Sequence, residues 1–340
     1  MSGGEIMRIR TLVVSGAALL LVGAMGVTGW LRAQTQKPET AVHPLVTLEQ
    51  FERWQTELNN WGRWGKNDEL GTLNLVTPAK RKQAIALVKE GVTVSLASDI
   101  PTEKAPDVPC PAEWAMLSLN MDKIAFPCIH GPGLTHLDSF AHVYFHGKMW
   151  NGDLVADVVT KEHGPSKSSI IVMKDGIVTR GVLYDMARLK GVPYLEPGTR
   201  ITAEDLEAWE KMAGVKAGPG DALLLGWGRW VRGKKLGPWN INQQTAGLDN
   251  SVIPWLKKRD IAILGWETPT YAPKPEGDLP GSPVHDFALT MLGIHILDRA
   301  DFTAVSEAAA ARKRWEFMIT IAPLTIPHGT GSPVNPIAMF

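Results

Sequence analysis

One stretch decides the fold of this chain: HGPGLTHLDSFAHVYFH, residues 130–146. Four of the nine histidines of the 340-residue chain lie within it, together with one carboxylate and two glycines. Core packing does not concentrate imidazole in this way, because histidine has only an intermediate tendency to be buried. The stretch therefore predicts a metal site.

The spacing of His136 and Asp138 suits binding of one cation. In an extended segment side chains alternate between two faces, so these two project to the same side. Imidazole with carboxylate suits a divalent ion such as Zn²⁺ or Mn²⁺, and the absence of thiolates from the motif argues against copper(I) or an iron–sulfur cluster. His142 is an even number of residues from His136 and Asp138, as a residue on the same face would be. It is predicted to be a ligand or a proton shuttle. The alternative is that these are ordinary core or surface histidines.

The same residues resemble a known family. The run THLD (residues 135–138), followed by His142, resembles the signature His-x-Gly-Thr-His-x-Asp-x-x-x-His of the cyclase family, metal-dependent hydrolases that include bacterial kynurenine formamidase and isatin hydrolase. Three more segments resemble the family's opening segment, the continuation after the motif and the closing loop: WGKNDELGTLN (64–74), YFHGKMWNG (144–152) and GTGSPVNPI (329–337). The resemblance implies an α/β fold, a single domain with a mixed central β-sheet and surrounding helices.

One position departs from the family's pattern. The family's first metal histidine stands four residues before the second, where this chain has Pro132. A histidine occurs six residues before the second instead, at His130. Either a bulge through residues 131–133 brings His130 to the metal, or that ligand is missing.

A second candidate ligand, His285, lies in the segment PVHDFALTMLG (residues 283–293). Leu289 and Leu292 lie four and seven residues after it, so the three share one inward face of a helix. Such a histidine can also be a satisfied core residue. The resemblance implies a metal histidine here and a glutamate after the following loop. The nearest acid is Asp298, one methylene shorter, which favours a single metal.

The ligand set predicts a hydrolase. A divalent cation lowers the pKa of water towards ~7 and polarises a carbonyl. Metal-activated water is therefore expected to attack the carbonyl of a cyclic or aromatic amide, lactone or ester, with His142 as the base. Kynurenine formamidase is the alternative within this chemistry. It fits less well because the N-terminal segment described below predicts export, whereas tryptophan catabolism is cytoplasmic. The alternative of another class is a non-catalytic periplasmic metal-binding protein.

Aromatic residues suggest where the substrate binds. The chain has thirteen tryptophans and four tyrosines, and aromatic walls bind planar substrates by stacking. We predict that Trp64, Trp114 and Trp150 border the site, although most tryptophans in proteins are core or interface residues. Glu267 follows a predicted buried strand, at a sheet end where sites collect, and is a further substrate-binding candidate. Alternatively, Glu267 is an acidic residue in a surface loop without a role in binding.

Residues 1–33 have the layout of a secretory signal peptide, because Arg8 and Arg10 precede an uncharged run over residues 11–31. The run is long enough to span a bilayer, so a retained membrane anchor is the alternative. Both alternatives, a cleaved signal peptide and a retained anchor, place the folded domain outside the cytoplasm. The domain is then periplasmic or secreted. Residues 34–45 are predicted to be a linker, and residues 46–340 a single cyclase-like domain.

Charge and cysteine usage limit the partners. The formal net charge is zero and no Lys/Arg cluster stands out, so nucleic acid is not expected. We expect a small cyclic or aromatic substrate, a homo-oligomer, and membrane contact only if the N-terminal segment is uncleaved. Cys110 and Cys128 could pair in an oxidising compartment or remain two buried thiols.

Hydrophobic periodicity places the remaining elements. Helices are predicted at residues 47–61, 77–89, 202–213 and 252–258. Strands are predicted at residues 92–96, 169–173, 221–227 and 260–266. This mixture of helices and apolar strands is typical of an α/β domain.

Overall fold

The computed structural model describes residues 45–268 and 282–340. The predicted signal peptide or anchor at residues 1–33 lies outside these residues, as does all but the last residue of the predicted linker. Residues 45–340 form one structural unit. In the two described ranges, every helix is too short or too polar to cross a bilayer.

A mixed sheet crosses the domain, as the resemblance implied. The strands of the described residues, in chain order, are β1 (Thr93–Ser95), β2 (Glu113–Ser118), β3 (Met121–Ala125), β4 (His136–Asp138), β5 (Val159–Thr160), β6 (Gly164–Pro165), β7 (Ile177–Asp185), β8 (Arg200–Ile201), β9 (Ala222–Gly226), β10 (Gly247–Leu248), β11 (Ile263–Trp266), β12 (His295–Asp298), β13 (Glu316–Ile321), β14 (Gly331–Pro333) and β15 (Ile337–Met339). Nine of these strands form the main sheet in the order β1-β15-β13-β7-β9-β11-β12-β4-β14.

The centre of the main sheet is parallel and its borders are antiparallel. Strands β7, β9, β11 and β12 run parallel to one another. β4 pairs antiparallel with β12 on one side and with β14 on the other. Three predicted strands are confirmed as β1, β9 and β11, so the α/β assignment from the apolar runs is correct.

Helices flank this sheet. In chain order, the α-helices of the described ranges are α1 (Leu48–Glu57), α2 (Pro78–Ile85), α3 (Val155–Val158), α4 (Met186–Leu189), α5 (Ala203–Ala213), α6 (Arg229–Leu236), α7 (Ile253–Arg259), α8 (Pro283–Phe287) and α9 (Thr303–Arg312). Thr47 and Thr77 each accept the amide N–H three residues later, and Thr202 forms a full capping box with Asp205. The predicted helix starts are therefore confirmed by the capping side chains that indicated them.

Two helices end earlier than predicted, and tertiary hydrogen bonds hold the segments that follow them. α1 stops at Glu57, and the N–H of Asn60 donates to the carbonyl of Met291 at 2.8 Å. α2 stops at Ile85, and the N–H groups of residues 90 and 91 donate to the carbonyl of Phe340 at 3.1 and 2.9 Å. Periodicity alone does not reveal such distant acceptors.

The predicted strand at residues 169–173 is wrong. Ile170–Met173 forms a 3₁₀ turn that follows Ser168, whose φ is 56°, and the N–H of Ile170 donates to the carbonyl of Gly329 at 2.7 Å. The long strand is β7, which begins four residues later. Its Arg180, which pairs with Asp221 and Glu316, interrupts the apolar pattern. A short apolar run does not distinguish a strand from a helical turn.

The two faces of the sheet bury separate hydrophobic clusters. One cluster includes Leu225, Trp266 and Ile296, and the other includes Leu137 and Leu297. Because Asp138 pairs with Ile296 and Leu137 with Leu297, the side chains of residues 136 and 138 lie on the face of the first cluster. The sheet therefore carries the predicted ligands into a buried layer.

Two close glycines fix the loop that follows α8. The chain continues from α8 as a π-helical turn over Ala288–Leu292 and ends at Gly293, whose φ is 64°. A Cβ at Gly293 would lie 2.5 Å from the ring of Trp150, and one at Gly71 would lie 2.2 Å from the carbonyl oxygen of Gly293. The N–H of Thr72 donates to that oxygen at 2.7 Å. The backbone therefore approaches here as closely as only glycine allows.

Cys110 and Cys128 form a disulfide, which decides between the two alternatives that the sequence left open. The bond closes the base of a two-stranded hairpin, β2–β3. Most of the hairpin is exposed, and its large apolar side chains are 47% to 103% accessible: Trp114, Met116, Leu117, Leu119, Met121 and Ile124. Cys128 stands just before the segment that begins at His130, so the disulfide holds an exposed apolar arm next to the metal motif.

Candidate metal centre

The centre is built around Asp138, at the end of the three-residue strand β4. The predicted extended conformation of residues 136–138 is confirmed, and the strand is fully buried. β4 pairs His136 directly with Asp298 and Asp138 with Ile296. This register brings two carboxylates and one imidazole to one spot, although they come from distant parts of the sequence.

His136 has a fixed orientation. Its Nδ1–H donates to the carbonyl of Leu134 at 2.6 Å, so Nε2 faces the carboxylates. Nε2 lies 3.3 Å from Oδ1 of Asp138 and 3.9 Å from Oδ2 of Asp298. Burial lowers the pKa of His136, but the two carboxylates raise it more, so the net pKa is above its usual value.

His130 reaches the centre despite its shifted spacing. Its Nδ1 lies 2.8 Å from Oδ1 of Asp138, and its Nε2 lies 2.9 Å from Oγ1 of Thr330 in the closing loop. The turn through residues 131–133 makes this possible, and Arg229 holds it by donating to the carbonyl of Pro132 at 2.9 Å. Of the two alternatives for His130, the structure favours the bulge.

His285 approaches from α8. Its Nε2 lies 3.3 Å from Oδ2 of Asp138 and its Nδ1 lies 3.1 Å from Oδ1 of Asp286. Burial lowers the pKa of His285, but the hydrogen bonds to the two carboxylates raise it to about 10. Leu289 and Leu292 are buried on the same segment, as predicted.

Asp138 is where these contacts converge. Burial raises the pKa of its carboxyl group, but the neighbouring imidazoles, His136 first, lower it well below the usual value. Asp138 is therefore a carboxylate surrounded by His130, His136 and His285. Its backbone carbonyl lies 3.1 Å from Nδ1 of His295.

His142 lies beside this group, on a 3₁₀ turn (Phe140–His142) capped by Ser139. Its ring stacks on that of His130, with the centroids 3.5 Å apart. Burial, together with the charges of His130 and His285, lowers the pKa of His142 to about 4, so this imidazole is neutral at pH 7. His146, the last histidine of the stretch, is exposed.

Asp298 completes the centre from the end of β12. Its Oδ1 accepts hydrogen bonds from the indole N–H of Trp266 at 2.9 Å and from the backbone N–H of Arg299 at 2.8 Å. The two donors fix one oxygen and leave Oδ2 facing His136. The shorter acid therefore reaches the same cluster as the predicted histidines.

These side chains fit a divalent cation. Two overlapping sets of three have all their ligand atoms within 4.8 Å of one another: His130, Asp138 and His142; and His136, Asp138 and Asp298. Nitrogen and oxygen donors suit Zn²⁺ or Mn²⁺. Acceptors at Nδ1 of His136 and His285 direct each Nε2 at the carboxylates, the arrangement that orients metal-binding imidazoles in proteins.

The predicted substrate-binding residues are dispersed. Trp64 is half-buried, with its ring 6.3 Å from that of Trp150, which packs in the core and is 1% exposed. Trp114 lies on the exposed β2–β3 hairpin, where its indole donates to Asp122. The structure does not bring these tryptophans to the ligand cluster, and their roles stay predictions.

Glu267 lies at the end of β11 and is buried rather than in a surface loop. Its Oε2 accepts the backbone N–H groups of Trp227, Gly228 and Arg229. Burial raises its pKa to about 7, although these donors lower it. Glu267 lines a cavity of about 520 Å³, together with Asp185 and other residues, none of which belongs to the ligand cluster.

Sequence reasoning missed the residues that support the ligands. Thr330 lies in the segment that resembles the family's closing loop, and Asp286 follows His285 directly, so both had a signal. Trp266 lies at the end of the predicted strand at residues 260–266, but no pattern links its indole to a carboxylate. His295 and Arg299 had no signal, because neither spacing nor resemblance points to them.

The family model described as "Putative cyclase" matches residues 83–273, which is more than half of the chain. No curated protein matches the chain. A solved structure of a novel cyclase is similar to it, with 28% identity and a TM-score of 0.73, covering 84% of this chain and 99% of that chain.

Two structures of isatin hydrolases share the fold at lower identity. Isatin hydrolase A from Labrenzia aggregata bound to benzyl benzoate has 20% identity and a TM-score of 0.52, covering 75% of this chain and 94% of that chain. An isatin hydrolase bound to the product analogue thioisatinate has 17% identity and a TM-score of 0.50, covering 76% and 94%.

Proposed function

The chain belongs to the cyclase family, and from this premise we propose that it is a metal-dependent hydrolase. Its expected substrates are cyclic or aromatic amides, lactones or esters, which react at the carbonyl. The names of the two isatin hydrolases support this class, because isatin is a cyclic aromatic amide. Zn²⁺ and Mn²⁺ are the proposed metals.

One observation carries the proposal: imidazole nitrogens of three histidines lie 2.8 to 3.3 Å from the carboxylate of Asp138, which is completely buried. A buried charged cluster is unfavourable unless its charges are compensated. Binding of a cation offers such compensation for Asp138 and Asp298 together. The imidazole nitrogens nearest Asp138 converge on one carboxylate, where a shared cation would meet nitrogen and oxygen ligands together.

Each residue has a role in this proposal. His136, Asp138 and Asp298 would hold the cation, with His130 and His285 next to Asp138. A bound divalent cation would supply a Lewis acid that polarises a carbonyl and lowers the pKa of water. Trp266 and Asp286 orient Asp298 and His285. His142 is the proposed base, because its imidazole lies beside the cluster and is not among the three whose nitrogens lie within 3.3 Å of Asp138.

Elemental analysis of the purified protein, with hydrolysis assays with and without chelator, tests the proposal. The panel is isatin, N-formylkynurenine, a dienelactone and an aryl ester. We expect about one Zn or Mn per chain and turnover that chelator abolishes. Turnover of N-formylkynurenine alone would identify a kynurenine formamidase. Metal without any turnover would favour the non-catalytic metal-binding protein, and chelator-resistant turnover would refute a metal-dependent enzyme.

Replacing His142 by alanine separates the base from the ligands. We expect His142→Ala to retain the metal but to lower kcat by about 10²- to 10⁴-fold, the usual contribution of a general base. Metal content and kcat are measured on the same preparation. His163→Ala, at an exposed histidine, is the control and should match the wild type. Loss of the metal in His142→Ala would instead identify His142 as a ligand.

The β2–β3 hairpin supports a homo-oligomer, which we also propose. An apolar surface of this kind on a disulfide-closed arm is typical of a contact between protein chains. Light scattering should give a mass above that of one chain for the wild type. The double variant Leu117→Glu/Leu119→Glu should become monomeric, whereas Leu236→Glu, at an exposed leucine outside the hairpin, should not. A monomeric wild type would contradict this proposal.

We further propose that the domain works outside the cytoplasm, in the periplasm or secreted, or at the membrane if residues 1–33 are retained. The disulfide supports this location, because such bonds persist mainly in oxidising compartments. Cell fractionation with mass spectrometry of the N-terminus tests it. A full-length chain in the cytoplasmic fraction would be the contrary result.

A further inference from the structure

Arg299 has an unusual backbone for a residue beside the candidate centre. Its φ is 59°, in the left-handed region that a residue with a Cβ rarely adopts. Its N–H donates to Oδ1 of Asp298 at 2.8 Å, and its carbonyl accepts the hydroxyl of Thr135 at 2.8 Å. Strained residues persist where their surroundings determine them and cluster at functional sites. Both backbone bonds here lead to the metal motif or to a candidate ligand.

The side chain of Arg299 is buried but poorly satisfied. The residue is 7% exposed, and its Nε has no hydrogen-bond partner within residues 45–268 and 282–340. The nearest carboxylate oxygen, Oδ2 of Asp298, lies 3.4 Å from Nε. Arg180 shows the contrast, because its guanidinium donates to Asp221 and Glu316. A buried guanidinium nitrogen without a hydrogen-bond partner can donate to an anion.

A second arginine, Arg229, adds positive charge near Arg299, but its own donors have partners. Arg229 is 3% exposed, and burial and the nearby charge of Arg299 lower its pKa to about 10. Its donors are already used, on the carbonyls of Pro132 and Glu267 and on the carboxylate of Asp107. Arg229 is therefore a structural residue, and of these two arginines it is Arg299 whose Nε has no hydrogen-bond partner among the described residues.

The position of Arg299 connects it to the chemistry. Oδ2 of Asp298 lies 3.4 Å from Nε of Arg299 and 3.9 Å from Nε2 of His136. We propose that Arg299 binds a carboxylate on the substrate and so selects anionic amides, lactones or esters for this centre. The inference rests on the proposed hydrolase function. A guanidinium suits the task because its planar fork of donors matches a carboxylate with two parallel bonds.

Calorimetry with a matched pair of probes tests the binding role without turnover. Benzoate and benzamide have similar shapes and differ in charge. We expect the purified wild type to bind benzoate about 10- to 100-fold more tightly than benzamide, as a charge-assisted pair does. Arg299→Gln should abolish this preference, and Arg299→Lys should keep part of it. Lys313→Gln is the control, because Lys313 is a cation with φ 50° at the exposed end of α9.

Two results of the calorimetry would overturn the proposal. One is a wild type without preference for benzoate. The other is an Arg299→Gln protein that keeps the full preference, which would assign the anion to the bound metal or to another cation. Circular dichroism and thermal unfolding show whether each variant folds. If Arg299→Gln does not fold, the comparison of wild type with Arg299→Lys decides, since only the fork geometry changes.

Kinetics with phenyl acetate and 4-carboxyphenyl acetate test selection. Arg299→Gln should raise KM for the carboxylated ester about 10- to 100-fold more than KM for phenyl acetate. Equal changes in kcat/KM for the two esters would overturn the proposal, because they indicate a role independent of the carboxylate. If the wild type hydrolyses neither ester, the proposed hydrolysis fails for this substrate class, and calorimetry alone decides on Arg299.

Discussion

Replacing Asp138 by alanine is expected to remove both the bound metal and the hydrolytic activity. Asp138 is completely buried and contacts three imidazoles, so no other carboxylate can take its place between them. We expect activity to fall by more than about 100-fold, the upper range for residues that only orient a ligand. Metal content per chain and kcat/KM are the measurements.

Asp138→Asn is the matched variant for this experiment. It keeps the shape of the side chain and removes only its charge, so a loss of metal here assigns the effect to the carboxylate rather than to a cavity. Thermal unfolding of both variants shows whether the fold is kept. An Asp138→Ala protein that is free of metal and still active would falsify the metal-dependent mechanism.

Replacing Gly293 by alanine is expected to cause a large loss of stability from a single added methyl group. The residue has a φ of 64°, and the new Cβ would lie 2.5 Å from the indole of Trp150, which is 1% exposed. Backbone strain and overpacking each cost about 1–3 kcal/mol. We expect the free energy of unfolding to fall by about 3 kcal/mol in urea titrations.

Gly62→Ala separates the two causes. Gly62 also has a positive φ, 74°, but a Cβ there would have no atom within 4 Å. Its loss should be about 1 kcal/mol, from strain alone. If both variants lose the same free energy, the contact with Trp150 is not what requires glycine at position 293.

The local part of the candidate centre could be predicted from the sequence. The period-two rule places His136 and Asp138 on one face, and strand β4 has this geometry. The rule works because the whole prediction lies within three residues. Helix starts were predictable for the same reason, since Thr47 and Thr202 bind amides only three residues away.

The distant part of the centre could not be derived from spacing. His285 and Asp138 are 147 positions apart, and His130 and Thr330 are 200 apart. Resemblance to a family supplied His285 and Asp298, but it offered nothing for Arg299. The conformation of Arg299 depends on tertiary hydrogen bonds to Asp298 and Thr135, which leave no pattern in the sequence.

Short apolar runs were the weakest basis for prediction. The run at residues 169–173 is as apolar as a strand, yet its first N–H donates to Gly329, in the closing loop. The strand β7 contains Arg180, whose charge is satisfied by Asp221 and Glu316 after folding. Secondary structure was thus misassigned where distant partners determine what a residue does.

The pairing of β4 has a consequence for the order of folding. This strand lies between β12 and β14, whose residues are synthesised more than 150 positions later. Contacts between residues so far apart close large loops and form slowly. The motif at residues 130–146 therefore stays an incomplete site until the C-terminal strands have paired with it. Binding of a cation there would follow completion of these strands, rather than form a nucleus from which folding starts.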